Sequence, residues 1–183
     1  AEICSLIHAA ADRVIDEIEA QRSLAAAESR ELRVRPESIP VIPFLQQLVE
    51  IYRRHEVAEG RELVLQPALP DIVFVSDPVL LGRILGNMIK NALEASRPDE
   101  RVTVGCRRTD GGQIEFSVHN PGVIEPRAQL QIFQRSFSTK GAGRGLGTYG
   151  MRLLSEYLQG DVSFTSTPAE GTTFRVSCPV TPA

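Results

Sequence analysis

At 183 residues, with 42% hydrophobic and 23% charged residues, the chain has the composition of one globular domain, or one domain with an appendage. Its formal net charge of −3 argues against a nucleic-acid-binding surface, which would be strongly basic. No apolar run of about 18 residues is present, so no spanning segment is expected, and no leader pattern is expected at the start.

Cys4, Cys106 and Cys178 are far apart and lack metal-ligand spacing. An odd, sparse set of this kind fits reduced thiols in a cytoplasmic setting. His8, His55 and His119 are equally scattered, so no metal centre built on them is expected.

Residues 1 to about 33 read as one long helix, rich in Ala, Glu, Arg and Leu and free of Gly and Pro. Ile3, Ile7, Ala10, Val14, Ile18 and Leu24 recur at three- and four-residue steps, close to a heptad seam. Such a stripe needs cover, either from a partner helix in a dimer or bundle or from its own domain. Pro36, Pro40 and Pro43 mark residues 36–43 as a linker and set the domain boundary there. Phe44 to His55 has helical spacing. Glu62–Leu65 and Ile72–Ser76 read as strands, and the proline-bounded turn between them suggests a hairpin.

Asp77-Pro78 opens a strong helix, with Asp77 as N-cap and Pro78 at the first helical position. Leu80, Leu81, Ile84, Leu85, Met88, Ile89, Ala92 and Leu93 give it a broad buried face. Asn87 and Asn91 are four apart, hence on one side of that helix. Asparagine is a poor helix former, and two at this spacing need partners for their amides. Those partners are either neighbouring loops or a ligand or metal.

Val102–Arg107 and Gln113–His119 alternate as a hairpin around Asp110-Gly111-Gly112, and His119-Asn120-Pro121-Gly122 is a sharp turn at its end. Arg127–Phe137 reads as a short helix with Leu130, Ile132, Phe133 and Phe137 inward. The stretch Lys140 to Gly150 holds five glycines, Lys140 and Arg144, and runs straight into a helical pattern at Met151, Leu153, Leu154, Tyr157 and Leu158. A glycine-rich loop before a helix start lets backbone N–H groups approach a phosphate. The same composition also serves as a flexible connection. Asp161–Thr165 and Thr172–Cys178 form a last pair of strands.

Several short motifs in this order resemble the catalytic, ATP-binding domain of bacterial sensor histidine kinases, within the GHKL ATPase superfamily. Asn87-Met88-Ile89-Lys90-Asn91-Ala92 looks like the N box, Asn120-Pro121-Gly122 sits where the G1 box belongs, and Phe133-Gln134-Arg135-Ser136-Phe137 looks like the F box. Gly143-Arg144-Gly145-Leu146-Gly147 is similar to the G2 box, and Gly171-Thr172-Thr173-Phe174 to the closing threonine motif. The resemblance covers about residues 44–180. It implies an α+β chain, a two-layer α/β sandwich of the Bergerat ATP-binding type, preceded by the long helix. It also implies that residues 1–35 are the second helix of a dimerisation hairpin, that 36–43 link it, and that 44–183 are the catalytic domain.

The implied ligands are ATP and Mg²⁺, with Asn91 on the ion through its side-chain oxygen. Asn87 falls where related ATPases carry a water-activating glutamate; an amide cannot act as a base, which saves the γ-phosphate for a histidine. The resemblance gives catalytic roles to Asn87, Lys140 and Arg144. It assigns nucleotide contacts to Asn87, Asn91, Asn120, Gly122, Arg135, Lys140, Gly143, Arg144, Gly145, Leu146, Gly147, Thr172 and Thr173, with the segment 138–145 as a lid.

The family's G1 box begins with an aspartate that accepts from the adenine amino group. Asn120 stands there, which loses charge assistance on the order of 1 kcal/mol and predicts weaker ATP binding. Neither His8 nor His55 has the sequence context of the phosphoacceptor, so the accepting histidine is expected on a helix outside this chain. The expected partners are that helix, a response regulator receiver domain and a second copy in the parent, which is compatible with membrane anchoring. The alternatives are an ATP-hydrolysing switch of the same superfamily and a dimerisation module with a dead nucleotide site.

Overall fold

The computed structural model describes residue 18 and residues 21–135 and 146–180. The chain divides into two compact units, Ala1–Arg33 and Val34–Ala183. In the first unit, residues 21–28 form helix α1. The helix stops short of residue 33 without a glycine. Arg30 takes φ 60°, Arg30 N–H donates to Ala27 O at 3.1 Å and Glu31 N–H to Ala26 O at 2.9 Å. This is a Schellman ending built on an arginine. The rest of the expected long helix, including His8, lies outside the described residues.

The second unit is a two-layer α/β structure. Its elements are β1 (Glu37–Pro40), α2 (Val41–Arg53), β2 (Glu62–Leu65), β3 (Val73–Ser76), α3 (Pro78–Ala95), β4 (Arg101–Arg108) and β5 (Gln113–Asn120), followed by α4 (Pro126–Gln129), α5 (Leu146–Tyr157), β6 (Asp161–Thr167) and β7 (Gly171–Pro179). Five strands form one sheet in the order β2-β4-β5-β7-β6, parallel at β2–β4 and antiparallel elsewhere. Helices α2, α3 and α5 cover one face. Among the described residues, no helix is long and apolar enough to cross a membrane.

Two expectations about the chain before α3 are corrected. The stretch expected as a linker, 36–43, holds strand β1 and the start of α2. Proline is tolerated here because Pro40 ends a strand and Pro43 lies in a first helical turn, where the N–H has no partner to lose. The expected hairpin between 62 and 76 is not formed. β2 joins the large sheet parallel to β4, whereas β3 pairs antiparallel with β1. Parallel pairing needs a long crossover, which the segment containing β3 and α3 supplies.

The core face of the sheet follows strand alternation. Val104, Val118 and Phe174 share one rung, and Cys106, Phe116, Val176 and Val162 the next; all are buried. Leu81, Ile84, Leu85, Met88 and Ile89 of α3 pack over them, fully buried. Burial of each such side chain contributes roughly 1.5–3 kcal/mol. The outer face carries polar residues, with Arg107 Nε donating to Glu115 Oε1 at 2.7 Å.

Helix α3 is held at its start as the sequence predicts. Asp77 Oδ1 accepts from Val79 N at 2.9 Å and Leu80 N at 3.0 Å, and its other oxygen accepts from Arg35 N at 2.8 Å. The segment after β5 differs from expectation. Only Pro126–Gln129 is α-helical, and Leu130 is 82% exposed rather than inward. Phe133 anchors the following turns, its ring 5.7 Å from Phe164 and 6.4 Å from Phe174; Phe137 lies outside the described residues. His55 is not a plain surface residue either: its Nδ1 accepts from Val57 N at 3.1 Å and caps a short 3-10 turn.

Two measurements test this core. Asp77→Ala removes three acceptor contacts at a buried helix start and is expected to cost about 2 kcal/mol in urea unfolding. Burial pushes the thiols of Cys106 and Cys178 up to about 12 from the ordinary 9.0. In a Cys4→Ser background both should stay silent to DTNB at pH 8 until urea unfolds the chain. Because both folded-state values are raised, their contribution is complete below about pH 9 and is lost as the pH rises towards about 12.

Candidate functional site

At one end of the sheet the core face turns polar. Asn120 on β5 pairs with Thr172 on β7, and Thr172 with Ser166 on β6, so the three side chains occupy a single rung beyond the apolar ones. Asn120 is 2% exposed and Thr172 3% exposed. A buried polar rung is stable only if its groups find partners.

Most of them do. Thr172 Oγ1 donates to Gly122 O at 2.7 Å and shares a 2.8 Å hydrogen bond with Ser166 Oγ. Ser166 Oγ also accepts from Ile124 N at 2.9 Å. Gln129 Nε2 donates to Ile124 O at 2.8 Å and to Ser166 O at 3.3 Å. The turn from Asn120 to Ile124 is thereby tied to the end of the β6–β7 hairpin. Thr172 works here as a brace for that turn. One atom is left over: Asn120 Nδ2 is buried and has no hydrogen-bond partner among the described residues. Such an orphaned donor costs about 1–3 kcal/mol unless a ligand supplies an acceptor.

Two glycines let the backbone pack closely around Asn120. A Cβ on Gly122 would stand 2.7 Å from Asn120 Nδ2 and 2.8 Å from the carbonyl oxygen of Ala95, the last residue of α3. A Cβ on Gly171 would collide with the backbone oxygen of Asn120, and Gly171 itself holds φ 72°. Both positions therefore need glycine if the turn is to keep this shape.

The polar track continues along α3. Asn91 and Asn87 lie one and two turns before Ala95, both half-buried, so eight residues of helix carry the track about 12 Å from Ala95 to Asn87. At its far end, Asn87 Oδ1 would lie 3.8 Å from a Cβ on Gly147, in the first turn of α5. The first turn of a helix carries backbone N–H groups that have no intrahelical partner, and the positive end of the helix dipole. The polar residues thus run from the buried amide of Asn120, past the half-buried side chains of Asn91 and Asn87, to an anion-favouring helix start. Among the described residues no group of three or more His, Cys, Asp or Glu residues is placed to hold a metal ion.

Asn87, Asn91, Asn120, Gly122, Gly147 and Thr172 are therefore brought to one side of the sheet. Thr173 is not: it pairs with His119 and Thr165 on the opposite face. Arg135 is exposed at the end of the segment that Phe133 anchors. Lys140, Gly143, Arg144 and Gly145 lie outside the described residues, as does the side chain of Leu146, whose backbone opens α5. Ser166, Gln129 and Gly171 belong to the site's support but were not among the expected contacts. The only local signal among them is the turn glycine at 171; Ser166 and Gln129 emerge only once the strand register is known.

Residues 76–182 match the family described as histidine kinase-, DNA gyrase B-, and HSP90-like ATPase. Among curated proteins, the chain is 30% identical over 133 residues to the sensor protein TdiS of Thauera aromatica, covering 69% of this chain and 24% of that protein. It is 32% identical over 130 residues to the sensor histidine kinase CusS of Escherichia coli O157:H7, covering 67% and 27%. The chain thus spans about a quarter of the length of these relatives. Among solved structures, full-length ShkA in complex with AMPPNP superposes with a TM-score of 0.78 at 26% identity, over 100% of this chain and 40% of that one.

The brace can be tested without any ligand. Thr172→Val keeps the shape but leaves Gly122 O and Ser166 short of a partner, and urea unfolding should show a loss of about 1–3 kcal/mol. An unchanged midpoint would mean that the turn is held by other contacts.

Proposed function

The chain belongs to the histidine kinase-, DNA gyrase B-, and HSP90-like ATPase family, as an ATP-binding domain of the sensor histidine kinase kind, and from that premise we propose that it binds ATP with Mg²⁺ and delivers the γ-phosphoryl group to a histidine. The observation that carries this reading is the polar track from the orphaned Asn120 amide along Asn91 and Asn87 to the start of α5. An elongated ligand with a hydrogen-bonding base at one end and phosphates at the other fits that order.

The base sits beside Asn120, at the turn that Gly122 allows to pack closely on the end of α3. Phosphate oxygens lie towards Gly147 and the N–H groups of the first α5 turn. Lys140 and Arg144, with Arg135, neutralise phosphate charge, and the backbone of Gly143 and Gly145 lines the same loop. Transfer of this kind depends on positioning and charge stabilisation, with little covalent work for the protein. Asn91 presents a half-buried amide oxygen, a hard donor suited to Mg²⁺, which takes few protein ligands and keeps waters and phosphate oxygens. The ion supplies charge neutralisation along the triphosphate.

Asn87 explains restraint as well as binding. Its amide cannot accept a proton from water at neutral pH. Water near the phosphates is therefore not activated there, and the phosphoryl group is preserved for the accepting histidine. That histidine lies outside residues 1–183, on a helix that packs with the stripe of residues 1–33 in a dimer. The phosphoryl group then passes to a receiver-domain aspartate in a cytoplasmic relay.

Calorimetric titration with AMPPNP tests the binding half of this reading. Binding with Mg²⁺ in the micromolar to sub-millimolar range is expected, weakened about tenfold when Mg²⁺ is omitted, a loss of about 1.4 kcal/mol. Asn91→Ala should remove most of that magnesium dependence while leaving the unfolding midpoint near that of the parent chain. An absence of binding at millimolar nucleotide would favour a dimerisation module with a dead site.

A further inference from the structure

We propose that Asn120 broadens the base selectivity of this site, so that a 6-oxo purine triphosphate is accepted alongside a 6-amino one. The inference rests on the reading of the site as a nucleotide pocket and adds to it the class of base.

The argument starts from the unpaired Nδ2. Asn120 is 98% buried, on the core face of β5, and its donor nitrogen has no partner among the described residues. The neighbouring hydroxyl of Thr172 cannot serve it, because that hydroxyl is committed to Gly122 O and Ser166 Oγ. Gly122 packs so closely on the amide that a Cβ there would stand 2.7 Å from Nδ2. The site therefore holds a donor that wants an acceptor.

A carboxylate here would offer acceptors only. It would take a hydrogen bond from an exocyclic amino group and repel a carbonyl oxygen. A carboxamide offers one acceptor and two donors. Its terminal torsion is broad and roughly two-fold, so the group can present either end. Oδ1 receives the amino hydrogen of adenine, and Nδ2 donates to the 6-oxygen of guanine or hypoxanthine. Each base therefore finds a complementary end of the amide. Selectivity in hydrogen-bonding sites comes from leaving a buried group unpaired with the wrong ligand, and that penalty is missing here.

The test compares two non-hydrolysable analogues on the full chain with Mg²⁺. AMPPNP and GMPPNP should bind with dissociation constants within about tenfold of each other, the factor that one unpaired buried group would otherwise cost. Asn120→Asp should restore discrimination, weakening GMPPNP relative to AMPPNP by more than about tenfold. A wild-type preference for AMPPNP beyond tenfold overturns the inference, and so does a ratio that Asn120→Asp fails to move. If the variant does not fold, the wild-type ratio decides alone. Failure of both analogues to bind at millimolar concentration overturns the nucleotide reading itself, and the inference falls with it.

Discussion

The hydrogen bond from the Thr172 hydroxyl to the Gly122 carbonyl sets the form of the ligand end of this domain. It closes the turn after β5 onto the end of β7, across a rung where an apolar core would otherwise continue. With Ser166 and Gln129 it forms a short polar lattice that leaves one donor, on Asn120, aimed at nothing the described residues provide. Partly satisfied buried networks are costly unless something completes them. Here the incompleteness is local and sits where the track along α3 begins.

That track depends on α3 being straight, long and fixed at its start. Asp77 ties its first turn to the backbone near Arg35, and the apolar face from Leu80 to Leu93 seals it to the sheet. Asn87 and Asn91 then fall on the rim of that face, half-buried, without disturbing the packing beneath. The helix works as a ruler: it spaces the turn beside Asn120 from the start of α5 by a fixed number of turns. Position of charge and oxygen is what phosphoryl transfer demands of a protein.

How much of this the sequence announces depends on whether the signal is local. The cap at Asp77, the apolar face of α3 and the β4–β5 hairpin are each written in a few neighbouring residues, and each is found in the structure. The partners of β2 and β3 are not legible in that way. Both are four-residue strands, and their pairing is decided by segments far along the chain, β4 for one and β1 for the other. Asn87 and Asn91 could be picked out by type and spacing, and Asn120 and Gly122 through the resemblance of their motif. The different fates of Thr172 and Thr173 could not, because adjacent residues of a strand face opposite ways and only the register says which faces in. Leu130 misleads for a related reason: the α-helix ends at Gln129, so helical periodicity does not govern the residues after it.

The paired threonines have a consequence for how the domain tolerates change. Sliding β7 by one residue against β5 would still set a threonine on the rung beside Asn120, so the hydroxyl alone does not guard the alignment. The guard is the next pair along: the same slip would turn Phe174 out to solvent and drive the Arg175 guanidinium into the apolar layer under α3. A single residue added or lost within β7 therefore sets the polar rung at Asn120 against the core.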